Sequence, residues 1–146
     1  MKNKLIYSAI AVAALGLASC GNKSTTNDVT QLPEASQQVL NDNFNSDVAS
    51  INIEKNVIGA DEYEVFLNDG TKVEFENEEW EEVTAAPGQA VPEYFVIEPI
   101  RQYLTANQPD LTVVKVKKDS KGYEVDLSNG LELEFDNNGT FVKIDR

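Results

Sequence analysis

The sequence predicts an α+β fold: two tandem units, each a helix followed by four strands, joined in one antiparallel sheet with both helices on its apolar face. Three observations carry this. First, a motif recurs sixty residues along the chain, Tyr63-Glu64-Val65-Phe66-Leu67-Asn68-Asp69-Gly70 against Tyr123-Glu124-Val125-Asp126-Leu127-Ser128-Asn129-Gly130. Second, several short runs alternate apolar and polar residues, the period of two expected of strands buried on one face. Third, Asp69-Gly70, Asn129-Gly130 and Asn138-Gly139 stand between such runs, and these dipeptides suit two-residue hairpin turns because they accept positive φ.

The chain begins with Lys2 and Lys4, then an almost wholly apolar run from Leu5 to Leu17. A membrane-spanning helix needs about 20 apolar residues, so the run fits the core of a secretory signal instead. Leu17-Ala18-Ser19-Cys20 follows and resembles the lipobox of bacterial lipoprotein precursors. An ordinary signal peptide with a chance cysteine is the alternative. Cys20 is the chain's one cysteine, however, and it sits where the motif requires it. The reading is a signal peptide over 1–19, lipid attachment at Cys20, a polar flexible tether over 20–30, and one domain over 31–146. The first repeat spans about 31–84 and the second about 91–146.

Each unit opens with a helix. In the first, Leu32, Ala35, Val39, Leu40 and Phe44 form one apolar stripe, and Pro33 suits the first helical position. In the second, the stripe is Ile97, Ile100, Tyr103 and Leu104. Pro99 either starts this helix after an irregular turn at 93–97 or kinks a longer one; the first is the preferred reading. The strands of the first unit bury Ile51 and Ile53, then Tyr63, Val65 and Leu67, then Val73 and Phe75, with a fourth strand near Trp80 to Thr84. Those of the second bury Val114 and Val116, then Tyr123, Val125 and Leu127, then Leu131, Leu133 and Phe135, and finally Val142 and Ile144.

Composition excludes whole classes of chemistry. The chain has no histidine and one cysteine, so zinc sites built on His and Cys, Ser-His-Asp triads and Cys-His dyads are out of reach. Losing Lys2 and Lys4 with the signal takes the net charge from −13 to −15. That charge argues against nucleic acid, whose phosphates need clustered Lys and Arg, and against lying flat on anionic lipid. No cofactor is expected.

The paired Tyr-Glu-Val-x-Leu-x-(Asp/Asn)-Gly hairpins, the x-(Val/Leu)-Glu-Phe strand after each, and the Leu32-Pro33-Glu34 and Val91-Pro92-Glu93 helix openings together resemble the PepSY-like lipoproteins of Bacteroidetes. That family is similar in fold to β-lactamase-inhibitor proteins. The resemblance covers about 32–146 and implies an extended, curved sheet with one open face and no catalytic site.

If the apolar sets face the helices, the open face carries Glu64, Phe66, Lys72, Glu74, Glu76, Trp80 and Glu82, then Glu124, Asp126, Glu132, Glu134, Asp136, Phe141 and Lys143. Phe66, Trp80 and Phe141 are candidate binding anchors, since aromatics bury much area at low entropy cost. The acids Glu64, Glu74, Glu124, Asp126, Glu132 and Glu134 would select a basic protein or peptide partner. Alternatively the rings pack on one another, or the fourth strand is shifted by one residue and turns Trp80 inward. Asp136-Asn137-Asn138-Gly139-Thr140 reads as a β-turn, lacking the spacing of a calcium loop. Lys115, Lys117, Lys118 and Lys121 read as protection of a sheet edge. The expected role is a monomeric, non-enzymatic binding or inhibitor-like module, held by its lipid to the outer membrane and facing the periplasm. The alternatives are a structural envelope lipoprotein with no specific ligand and a hydrolase using carboxylates alone.

Overall fold

The computed structural model describes residues 21–145; the stretch read as a signal peptide, 1–19, and the expected lipid site Cys20 lie outside them. The elements are β1 (Gly21–Thr26), α1 (Glu34–Asn43), β2 (Val48–Asn56), β3 (Glu62–Leu67), β4 (Lys72–Glu76), β5 (Glu79–Thr84), α2 (Glu98–Asn107), β6 (Val113–Asp119), β7 (Gly122–Leu127), β8 (Glu132–Asp136) and β9 (Phe141–Asp145). Short 3-10 turns at Val29–Gln31 and Glu93–Phe95 precede the two helices. The strands form one open antiparallel sheet in sequence order, β1 to β9. The order 3-10 turn, helix, four strands occurs twice.

Local chemistry explains most of the boundaries. Pro99 lies in the first turn of α2 and the 3-10 turn ends just before it, so the proline starts the helix rather than kinking it. Pro33 stands one residue earlier than expected, at the N-cap of α1. Gly70 and Gly130 take φ of +98° and +84° in the β3–β4 and β7–β8 turns. The side chains before them lock those turns: Asp69 accepts from the Thr71 N–H at 2.8 Å, and Asn129 from that of Leu131 at 3.1 Å.

The core lies between the sheet's inner face and the helices. Leu40 of α1 and Ile100 and Leu104 of α2 join Ile51, Val65, Val73, Val83, Val116, Val125 and Leu133 in one cluster. Phe95, from the 3-10 turn before α2, is fully buried. It stacks on Phe44 and meets Trp80 edge-on at 5.1 Å, so a residue of the second unit fills the core beneath the first. On α1 the buried residues are Ser36 and Leu40, continuing from Leu32 just before the helix, while the expected Ala35 is exposed. A four-residue step puts Ser36 on the inner side, and its hydroxyl is buried without a hydrogen-bond partner.

Two further expectations are corrected. The stretch read as a tether is strand β1 over Gly21–Thr26, pairing with β2 from Gly21 opposite Asn56 to Thr26 opposite Ile51. An edge strand needs only backbone hydrogen bonds and no buried side chains, so its polar sequence gave no period-two signal. Second, four ladders carry irregularities, at Val48/Ser50, Glu74/Phe75, Val113/Lys115 and Glu134/Phe135. A bulge adds one residue and reverses which face the chain beyond it presents. Val113 rather than Val114 therefore packs on the core, Val142 is exposed, and Ile144, though paired with Leu133 on the inner face, lies on the edge strand and is exposed as well.

Phe95→Ala removes the ring that joins the two halves of the core, and should lower stability by about 3–5 kcal/mol, the range for emptying a buried phenylalanine site. Urea unfolding followed by circular dichroism measures this.

Candidate functional site

The outer face of the sheet is built from rows of residues paired across the strands. One row runs through all nine: Thr25, Asn52, Glu64, Glu74, Glu82, Lys117, Glu124, Glu134, Lys143. Three glutamates stand directly side by side in it, which is unfavourable unless a cation intervenes. Lys72, on the next row, supplies one: its ammonium lies 2.6 Å from Glu74, 3.3 Å from Glu82 and 3.8 Å from Glu64. Partial burial opposes its charge, but Glu74 and Glu82 hold its pKa above the usual lysine value. Lys115 does the same for Glu82 at 3.6 Å and Glu124 at 3.5 Å, and Lys143 pairs with Glu134 at 3.0 Å and with Asp145.

Of the expected anchors, only Phe66 lies on this face, half-buried, with Ser50 and Lys72 as its cross-strand neighbours. The predicted placement of Trp80 and Phe141 is corrected. Trp80 pairs with the buried Phe75 and packs on Phe95, with the Lys118 ammonium 4.8 Å from its ring centre. Phe141 pairs with Phe135 and stacks on Tyr103 of α2 at 4.7 Å. In both strands the bulge turns the aromatic ring toward the helices. The six candidate acids do occupy the outer face, but Glu64, Glu74, Glu124 and Glu134 are ion-paired there.

The site that sequence reading missed lies lower on the same face. The bulge in β5 directs Glu81 outward beside Glu82, against Glu76, Glu62 and Glu74. No ion pair among the described residues involves Glu62, Glu76 or Glu81. Partial burial first, then contact with Glu76 and the charges of Glu76, Glu62 and Glu74, push the Glu81 carboxyl up to about 7. Glu81 lines a groove of about 600 Å³ together with Lys23, Thr25, Asn52, Glu54, Glu62, Glu64 and Glu74. A sequence signal existed: Trp80 and Val83 are apolar at a spacing of three, which an unbroken strand cannot turn to one face.

A second acidic group lies in the other half. Carboxylate oxygens of Glu124, Asp126 and Glu132 come within 4.8 Å of one another, as do those of Glu132, Glu134 and Asp145. Burial raises the Asp126 pKa against the opposing pull of Lys115, and one of its oxygens is buried without a hydrogen-bond partner. Asp136, by contrast, is committed to its turn, accepting from the N–H groups of Asn138 and Thr140 at 2.9 Å each.

Comparison with known proteins places these features in context. A family described as beta-lactamase-inhibitor-like and PepSY-like matches residues 61–143. A periplasmic protein of unknown function from Bacteroides vulgatus is 36% identical with a TM-score of 0.80, over 86% of this chain and 100% of its own. One from Bacteroides thetaiotaomicron, whose description proposes calcium regulation, is 37% identical with a TM-score of 0.77, over 85% and 97%. Another periplasmic protein from Bacteroides vulgatus is 32% identical with a TM-score of 0.78, over 86% and 98%. No curated protein matches. Among the described residues, no helix is long and apolar enough to cross a membrane.

The raised Glu81 pKa has a defined consequence. Between the ordinary carboxylate value and about 7 the folded state holds a proton that the unfolded chain has released, so this group's contribution makes stability fall as pH rises through that window. Glu81→Gln should therefore be more stable than the parent at about pH 8, with the difference vanishing below about pH 4.5. Urea midpoints of the two proteins at both ends of the range measure it.

Proposed function

The chain belongs to the PepSY-like family, and from the outer face of its sheet we propose that it is a lipid-anchored, non-enzymatic binding module of the bacterial envelope that engages a basic segment of a protein or peptide. The observation that carries this reading is the carboxylate group at Glu62, Glu76 and Glu81, none of them ion-paired, with Glu62 and Glu81 lining an open groove. A lysine or arginine side chain entering the groove would offset the burial and the neighbouring carboxylate charges that hold the Glu81 proton in place. Phe66, four residues along β3 from Glu62 and outside the groove, would offer a separate contact to a longer segment, where the aliphatic stem of a second basic residue can pack. The periplasmic origin of its relatives supports an envelope location, Leu17-Ala18-Ser19-Cys20 supports lipid anchoring through Cys20, and the lack of a dense acidic run from Gly21 to Asp28 favours the periplasmic side of the outer membrane. The twice-occurring element order, with its matching hairpin motifs, supports duplication of one helix-plus-four-strand unit.

The chain from Gly21 onward, which keeps β1, should retain a basic partner from envelope extract. Glu76→Lys combined with Glu81→Lys should abolish retention, Phe66→Ala should weaken it, and about 0.5 M salt should release the partner by screening. Retention unchanged by the charge reversal would remove the groove from the reading.

A second reading rests on the other acidic group. Glu124, Asp126 and Glu132 supply oxygens of the kind calcium takes, six to eight in all with water completing the shell. The proposed calcium regulation of the similar Bacteroides thetaiotaomicron protein favours it. Isothermal titration with calcium should show saturable binding that Asp126→Asn weakens about tenfold or more, because the substitution removes the charge of the unpartnered carboxylate.

A further inference from the structure

The two most exposed large hydrophobic residues among those described are neighbours, Val57 at 79% and Ile58 at 92%, at the tip of the β2–β3 loop. Isolated apolar residues on a surface are ordinary. This pair is set apart by how the loop is built. Its base is tightly hydrogen-bonded: Asp61 accepts from the Asn56 N–H at 3.1 Å and from the Lys55 ammonium at 2.7 Å. The Asn56 side-chain amide donates to the Ala60 carbonyl at 2.7 Å, and the Asp61 N–H donates to the Asn77 side chain at 3.1 Å. All the loop's charge is thus held at its base, where Lys55 and Asp61 neutralise each other. Val57, Ile58, Gly59 and Ala60 project beyond it as a fixed, uncharged tip.

The position of the tip supplies the second observation. Gly21, the first residue of β1, pairs with Asn56, the last residue of β2. The residue before Gly21 is Cys20, and the residue after Asn56 is Val57. Consecutive Cα atoms are about 3.8 Å apart and paired strands about 5.5 Å, so covalent geometry keeps the Cα of Cys20 within about 13 Å of that of Val57. With β1 beginning at the very next residue, no length of free chain separates the anchor from the domain.

We propose that Val57 and Ile58 insert into the lipid interface beside the acyl chains of Cys20, so that the domain stands on the membrane at its β1–β2–β3 corner. This rests on the lipid-anchor reading of Cys20. The acyl chains fix the protein to the bilayer, and the apolar tip fixes its orientation. A pair of this kind suits the interface, where apolar side chains embed about 5–10 Å deep. The lipid concerned is zwitterionic, because the strongly acidic chain is repelled by anionic headgroups. In this orientation the strand axes rise from the membrane, and the Glu62–Glu76–Glu81 edge of the groove lies close above the surface.

The full lipidated chain tests this in vesicles of phosphatidylethanolamine and phosphatidylcholine. Cys20 is the only cysteine and is capped by lipid, so Ile58→Cys provides a single free thiol for an environment-sensitive fluorophore. Asn129→Cys, in the β7–β8 turn at the other end of the strands, is the control. Intact mass reports acylation of Cys20. Acylated protein whose label at 58 shifts to the blue and loses emission about twofold or more to spin-labelled lipid, while the label at 129 does neither, is the expected result. Acylated protein with both labels remaining in water overturns the docking and leaves the anchor standing. A chain that reaches the envelope unacylated overturns the anchor and the docking with it. A label at 58 shielded in native envelopes but not in protein-free vesicles overturns the bilayer in favour of a protein partner.

Discussion

Nine strands act as one sheet only because β5 pairs with β6, and that seam is three residue pairs long: Glu82 with Lys117, Val83 with Val116, Thr84 with Lys115. Its centre is fully buried, and its margins are reinforced from both sides. The Ala85 and Val91 N–H groups donate to the Val114 and Val113 carbonyls at 2.9 Å. Lys118 reaches back to Glu79 at 3.1 Å and covers the Trp80 ring, while Phe95 wedges beneath Trp80. The seam makes the outer face electrically continuous. Lys115 belongs to the second unit yet shares its charge between Glu82 and Glu124, one on each side.

What the sequence made legible followed from short-range periodicity. The strands, the places of the hairpins and the helix starts were all expressed within a few residues, but the β3–β4 and β7–β8 loops close over three residues rather than the expected two: Leu67 and Leu127 bond across to Thr71 and Leu131, and only Gly70 and Gly130, not Asp69 or Asn129, take positive φ. The bulges were not expressed that way, because a bulge is a relation between two strands. Yet each left a trace in one strand: Val48 and Ile51, Trp80 and Val83, Val113 and Val116, and Phe141 and Ile144 are apolar pairs three apart. A period of two puts such residues on opposite faces, so an inward-facing pair at that spacing requires an extra residue between them. Reading those pairs as bulges would have turned Trp80 and Phe141 inward and brought Glu81 out. β1 left no comparable trace, since a polar edge strand spends only its backbone on the fold.

The bulges also decide which part of the outer face is strained. The two fourth strands align through their pairing: Trp80 and Phe141 both oppose a buried phenylalanine, and Glu82 and Lys143 both oppose a glutamate. The residue at the bulge is Glu81 in one and Val142 in the other. The same backbone feature therefore accepts an uncharged side chain, and nothing in the geometry of the bulge calls for an acid. The neighbours differ in the same sense. Where the first unit has Glu62 and Glu76 facing Glu81, the second has Gly122 and an Asp136 whose carboxylate is committed to backbone N–H groups. A fold that neutralises its middle row with Lys72, Lys115 and Lys143 thus leaves Glu62, Glu76 and Glu81 without an ion pair, at a position where folding does not require an acid. Holding such charges together destabilises the folded chain; a proton on Glu81 removes that cost below about pH 7, and above it a cationic partner would do the same.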